Sequence, residues 1–286
     1  VRHHPIGAFL AWFFTVGWAP AFTPVVARHA LRLDLPTPPF LVASTFLGLL
    51  LPVVVITWLA DGPEGVRALG RRVLPPRTPV GWYALALLAT PALSLAFAVV
   101  SLGPPAATGP ALLAALASGL LLQTAVTLLT FNVWEETAWM GFVQARLQAR
   151  HGALLAAVVT APVFFLGHLA GLLESGSAQQ VVDPLVVTVV VLFRALLAWL
   201  YNRTGGLLLV GLAHAAVNAV DAGSWAGAGF LPRLYEGQDI GSFGVLAGAL
   251  IGLVVIAATR GRLGLPARPA RPPQTGGARA AAGPAW

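Results

Sequence analysis

An all-α fold built from membrane-spanning helices is what this sequence predicts, and three observations carry the prediction. Of 286 residues, 57% are hydrophobic and only 9% charged, with a mean hydropathy of +0.81. Soluble domains average roughly 45–50% apolar and about 25% charged, so too few charges are present to cover this much apolar surface in water. The second observation is eight apolar stretches, at roughly 6–27, 39–60, 80–103, 111–149, 152–173, 184–202, 205–221 and 241–259, most of them near or above the ~20 residues that cross a bilayer. The third is where the arginines fall. With both termini inside, 13 lie on inside segments (Arg2, Arg67, Arg71, Arg72, Arg77, Arg146, Arg150, Arg203 and five beyond residue 259), against Arg28, Arg32 and Arg233 outside. Positive residues gather on the cytoplasmic side. A polytopic integral membrane protein with eight transmembrane helices and cytoplasmic N- and C-termini is therefore expected, in the cell membrane.

The first stretch is too long for a signal-peptide core and lacks a small-residue cleavage site, so it reads as a retained anchor. The segment DGPEGVRALGRRVLPPRTP after the second reads as a short amphipathic, basic loop. Stretch 111–149 would measure about 58 Å as one straight helix, so it must project, tilt or break, with Asn132 a candidate break. With 152–173 it forms a hairpin turning at Arg150-His151-Gly152. Residues 1–259 read as one integral domain and 260–286, rich in Arg, Pro, Ala and Gly, as a disordered basic tail. The sequon Asn202-Arg203-Thr204 falls on the cytoplasmic side and is discounted.

Composition also excludes chemistry. The absence of cysteine removes disulfides and thiolate catalysis, and the absence of lysine removes a Walker-type phosphate loop and a Schiff base. The net charge of +7 is all arginine, and its placement speaks for membrane orientation rather than nucleic acid.

Ionisable groups are expensive in lipid and usually mark function. The exceptions to the apolar rule are Glu135 and Glu136, His168, Arg194, and His214 with Asn218. Glu135 precedes the hairpin turn by 16 residues and His168 follows it by 17, which puts both about 24 Å from its tip. His214 and Arg194 lie 11 and 9 residues from Arg203, or about 14–17 Å. All these groups fall in one layer, expected to face the cytoplasm. His214 and Asn218, at i and i+4, share a helix face, and Phe164 stands one turn from His168. Asp221 shares that face but reads as a helix-end residue.

A carboxylate in a site of low dielectric serves as a general base, and a histidine opposite it helps to orient and deprotonate a water. A histidine and an asparagine one turn apart supply donors for a developing oxyanion. Glu, His, His and Asn in one layer thus form a complete kit for water attack on an amide, and no nucleophilic triad fits the scattered serines and threonines.

The motifs EETAWMG from Glu135, FFLGH ending at His168 and HAAVN from His214 to Asn218 resemble those of the CAAX protease and bacteriocin-processing family, the Abi or Rce1-like intramembrane glutamate endopeptidases. The resemblance is specific over 130–220 and topological elsewhere. It implies that Glu135 and His168 activate the water, that His214 and Asn218 form the oxyanion hole, and that Glu136 is auxiliary. The partners implied are the lipid bilayer and a peptide or protein substrate reached from the cytoplasmic side. No cofactor is expected; were a zinc present, Glu135, His168 and His214 would be its ligands. One departure stands out. The motif's arginine, i+4 from Glu136, is Met140, which removes the helix-internal ion pair; Arg194, in the same layer, is expected to replace it from across the bundle. The alternatives are a non-catalytic membrane scaffold or immunity protein that kept the fold and, third, a small transporter.

Overall fold

The computed structural model describes residues 1–74, 77–221, 223–224, 226–238 and 240–266. Among them the structure is helical, with no β-strand beyond an isolated bridge between Ser224 and Gly227. Each of the eight apolar stretches is occupied by a helix. We number the helices α1 (Pro5–Leu31), α2 (Thr37–Val73), α3 (Val80–Leu102), α4 (Pro110–His151), α5 (Ala153–Leu166), α6 (Leu169–Glu174), α7 (Pro184–Thr204), α8 (Leu207–Asp221), α9 (Phe230–Leu234) and α10 (Phe243–Thr259). Five of them, α1 to α4 and α7, are long and apolar enough to cross a membrane; α5, α8 and α10 are apolar but shorter.

Two features depart from the sequence expectation, and a third settles a choice it left open. The basic segment after residue 60 is helical as far as Val73 rather than a loop. Gly62 breaks α2 at φ 72°, ψ −173°, a conformation open to glycine because it has no Cβ. The half beyond it exposes Arg67, Arg71 and Arg72 and buries Leu69. The long fourth stretch does not break at Asn132. α4 runs unbroken for 42 residues, about 63 Å, accommodating π-helical turns at Ala115–Leu122, Leu128–Asn132 and Thr137–Gln144. The fifth stretch does break: α5 ends at Leu166 and α6 starts at Leu169.

Of the stretch expected to be a tail, residues 260–266 fold back on the bundle. Leu263 is buried and its carbonyl accepts from Asn202 Nδ2 at 2.9 Å. The remainder, 267–286, lies outside the described residues.

Small residues set the closest helix approaches, as in membrane bundles generally. Gly17 of α1 and Gly48 of α2 touch backbone to backbone; a Cβ on Gly17 would come within 2.8 Å of the Gly48 Cα. A layer of rings fills the centre. Phe9 and Phe13 meet Trp139 edge-on at 5.5 and 5.3 Å, and Phe142 lies 5.6 Å from Phe9. All four are buried.

Cross-links tie the helix ends into two opposite sets. One set is arginine-rich: Arg2 donates to the Leu59 carbonyl, Arg146 pairs with Asp61, Gln148 donates to Asn202, and Arg72 reaches the Tyr201 hydroxyl. The other holds Thr37 donating to Glu174, Arg28 paired with Asp34, and Gly244 N–H donating to Asp221.

Candidate active site

α4 supplies three polar side chains to the middle of the bundle. Neighbouring helix positions point about 100° apart, so Glu135 and Glu136 face different surroundings. Glu136 is fully buried. Arg194 Nη1, from α7, donates to both of its oxygens at 2.7 and 2.9 Å. His214 Nδ1, from α8, lies 2.9 Å from Oε1. Because an ionised carboxylate only accepts, His214 donates Nδ1–H to it. The guanidinium carbon of Arg194 also sits 4.8 Å over the Phe164 ring. The Arg194 guanidinium and the His214 N–H thus compensate a carboxylate for which burial alone would be costly, and Met140, where an arginine was expected, is packed among apolar neighbours.

Glu135 faces a cavity of about 400 Å³. Asn132 Nδ2 donates to its Oε2 at 3.0 Å, and Asn218 Nδ2 donates in turn to Asn132 Oδ1 at 3.3 Å. His168 lines the same cavity, in the turn between α5 and α6 at φ −87°, ψ 0°, the bridge region where many active-site residues sit. Its ring stacks edge-on with Phe164 at 4.9 Å, and its Nδ1 lies 3.2 Å from the Phe164 carbonyl. Gly167 permits this turn to press on α1, since a Cβ there would meet the Phe13 ring at 2.9 Å.

The six residues singled out in the sequence therefore occupy two layers. Glu135, His168 and Asn218 line the cavity; Glu136, His214 and Arg194 stand behind it, with His214 Nδ1 only 4.0 Å from Glu135 Oε2. Among the described residues no three His, Cys, Asp or Glu side chains are grouped as a metal site. Asn132 is the polar residue the sequence reading missed, having weighed it only as a break point. Its signal was present: a buried amide three residues before Glu135 in an apolar helix shares that residue's face.

A second, larger cavity of about 780 Å³ opens among Asp61, Arg72, Arg146 and Tyr201 at the arginine-rich ends. It shares no lining residue with the first.

Apolar helices of spanning length around a largely apolar cavity, with Asn132, Glu135, His168 and Asn218 on its wall, define a multi-pass membrane protein. Comparison with known families agrees: residues 117–220, a little over a third of the chain, match the Rce1-like family, described as Type II CAAX prenyl endopeptidase Rce1-like. The matched segment contains the six residues singled out in the sequence and Asn132, while part of the cavity wall, such as Phe13, Ala21 and Ser44, lies before it. No curated protein and no solved structure matches the chain.

Proposed function

We propose that the protein is an intramembrane endopeptidase in which the five long apolar helices and the shorter α5, α8 and α10 all cross the cell membrane and a water held between Glu135 and His168 attacks the scissile carbonyl. The observation that carries this reading is the meeting of Glu135, His168 and Asn218 on one cavity wall, with His214 directly behind. Glu135 takes a proton from the water as its oxygen bonds to the carbonyl carbon. The negative charge then collects on the carbonyl oxygen, where donors aimed in advance lower the barrier most. Asn218 spends one amide hydrogen on Asn132 and keeps the other for that oxygen. His214, held by Glu136 through Nδ1, offers its Nε2 side as the second member of the oxyanion site. As the C–N bond breaks, the proton held by Glu135 passes to the leaving nitrogen. No resident cofactor enters this scheme.

The test compares membrane and secreted peptide termini in cells carrying the wild type or Glu135→Ala. Termini present only with the wild type are expected. Identical termini, from a variant as stable as the wild type, would favour the scaffold reading.

A further inference from the structure

The sequence places the layer of polar groups beneath the cytoplasmic face; in the folded chain the cavity lies toward the arginine-poor helix ends. Three observations fix the direction. First, beyond the mid-helix residues Phe131 to Trp139 of α4, the wall extends toward one set of helix ends. Leu41 and Ser44 follow the start of α2 at Thr37, Gly171 and Leu172 precede Glu174, and Asn218 precedes Asp221. Thr37, Glu174 and Asp221 belong to the arginine-poor set of helix ends.

Second, exposure rises toward that end. Trp139 is buried, Glu135 and Asn218 are half-buried, and His168 and Gly171 are exposed. Third, the way to the arginine-rich face is filled. Phe9, Trp139 and Phe142, exposed by 0, 2 and 0%, lie between the site and that face.

The two ends differ in charge as sharply as in access. Among the described residues, ten arginines and two acids (Asp61, Glu64) sit at the closed end, against three arginines and five acids (Asp34, Glu174, Asp183, Asp221, Glu236) at the open one. Arginine marks the cytoplasmic side. We infer that the cavity opens to the non-cytoplasmic side of the membrane, so that its substrates are polypeptide segments exposed there, in exported peptides or the outer loops of membrane proteins, rather than cytosolic chain ends. This assignment of substrate class rests on the hydrolytic reading of the site; the direction of the mouth does not.

The chain has no cysteine, so single introduced thiols report the geometry directly. Gly171 on the open side and Gly70 on the arginine-rich side both have free space for a side chain. Gly171→Cys and Gly70→Cys are made in the full chain and treated with a membrane-impermeant maleimide in sealed right-side-out and inverted vesicles. Expected is labelling of Gly171→Cys in right-side-out vesicles alone and of Gly70→Cys in inverted vesicles alone, each at least tenfold over the opposite orientation. The reverse pattern, labelling of both in one orientation, or no labelling of a folded Gly171→Cys overturns the inference. Ser175→Cys and Arg71→Cys, also exposed at the two ends, serve if a glycine variant fails to fold. Because labelling needs no turnover, a protein that labels as expected yet cleaves no peptide from either side counts against hydrolysis and supports the direction of the mouth.

Discussion

Arg194 of α7 holds Glu136 of α4 by one nitrogen shared between both carboxylate oxygens, with both side chains fully buried. The pair joins helices 58 positions apart in sequence and continues through His214 into α8. A single residue therefore fastens three helices at the level of the site.

Removing one partner of a buried pair leaves the other charge uncompensated, at about 3–5 kcal/mol. Arg194→Gln is accordingly expected to lower the thermal unfolding midpoint of the detergent-solubilised protein and to abolish cleavage. Adding Met140→Arg to that variant, one turn from Glu136 on the same helix, recovers part of the stability. No recovery would mean that position 140 cannot reach the carboxylate.

Glu135→Gln keeps the shape of the side chain and its acceptor for Asn132 while removing the base. General acid–base groups contribute typically about 10²–10⁴-fold, so the cleavage rate of a quenched-fluorescence peptide falls by that order. The unfolding midpoint, by contrast, stays within the scatter of the wild type, since Glu135 lies on a cavity wall.

Asn132 bridges Glu135 and Asn218 and acts by positioning both. Asn132→Ala releases the two together. A misplaced catalytic group costs up to about 100-fold, and the loss is expected in kcat with KM little changed. A rise in KM alone would assign Asn132 to substrate binding instead.

Gly17 and Gly48 meet with no room for a side chain. Overpacking of this kind costs typically about 1–3 kcal/mol, so Gly17→Val is expected to lower the unfolding midpoint and to disturb the cavity wall formed by Phe13 and Ala21. Chelators make a complementary test: with no cofactor in the scheme, cleavage in excess chelator proceeds at the untreated rate, and a loss restored by zinc would require a metal.

Much of this is legible in the sequence because the chain is so apolar. Against that background every buried ionisable group stands out, which is why Glu136 and Arg194 can be matched from the sequence alone. The helices are legible for the same reason, since long apolar runs are the strongest pattern a sequence carries. What escapes are features decided by packing. Nothing around Gly167 announces the break that exposes His168, because Pro162, the local helix breaker, sits inside α5 without ending it. The stretch after Gly62 looks loop-like by composition, yet its helix is held by burial of Leu69. The direction of the cavity escapes because depth is counted from the hairpin tip, a measure that fixes distance and leaves open which end is stoppered by rings.

The adjacency of Glu135 and Glu136 makes the site a matter of angular phase. The two carboxylates do different work only because one residue of rotation separates a wall position from an interior one. The wide turns of α4 at Leu128–Asn132 and Thr137–Gln144 bracket that pair, and each resets the rotational register of the helix beyond it. Deleting one residue between Asn132 and Glu135 would therefore not simply shorten the rod. It would swing both carboxylates about 100°, offering Arg194 and His214 the wrong partner, so length along α4 is constrained to the single residue even where side-chain identity is not.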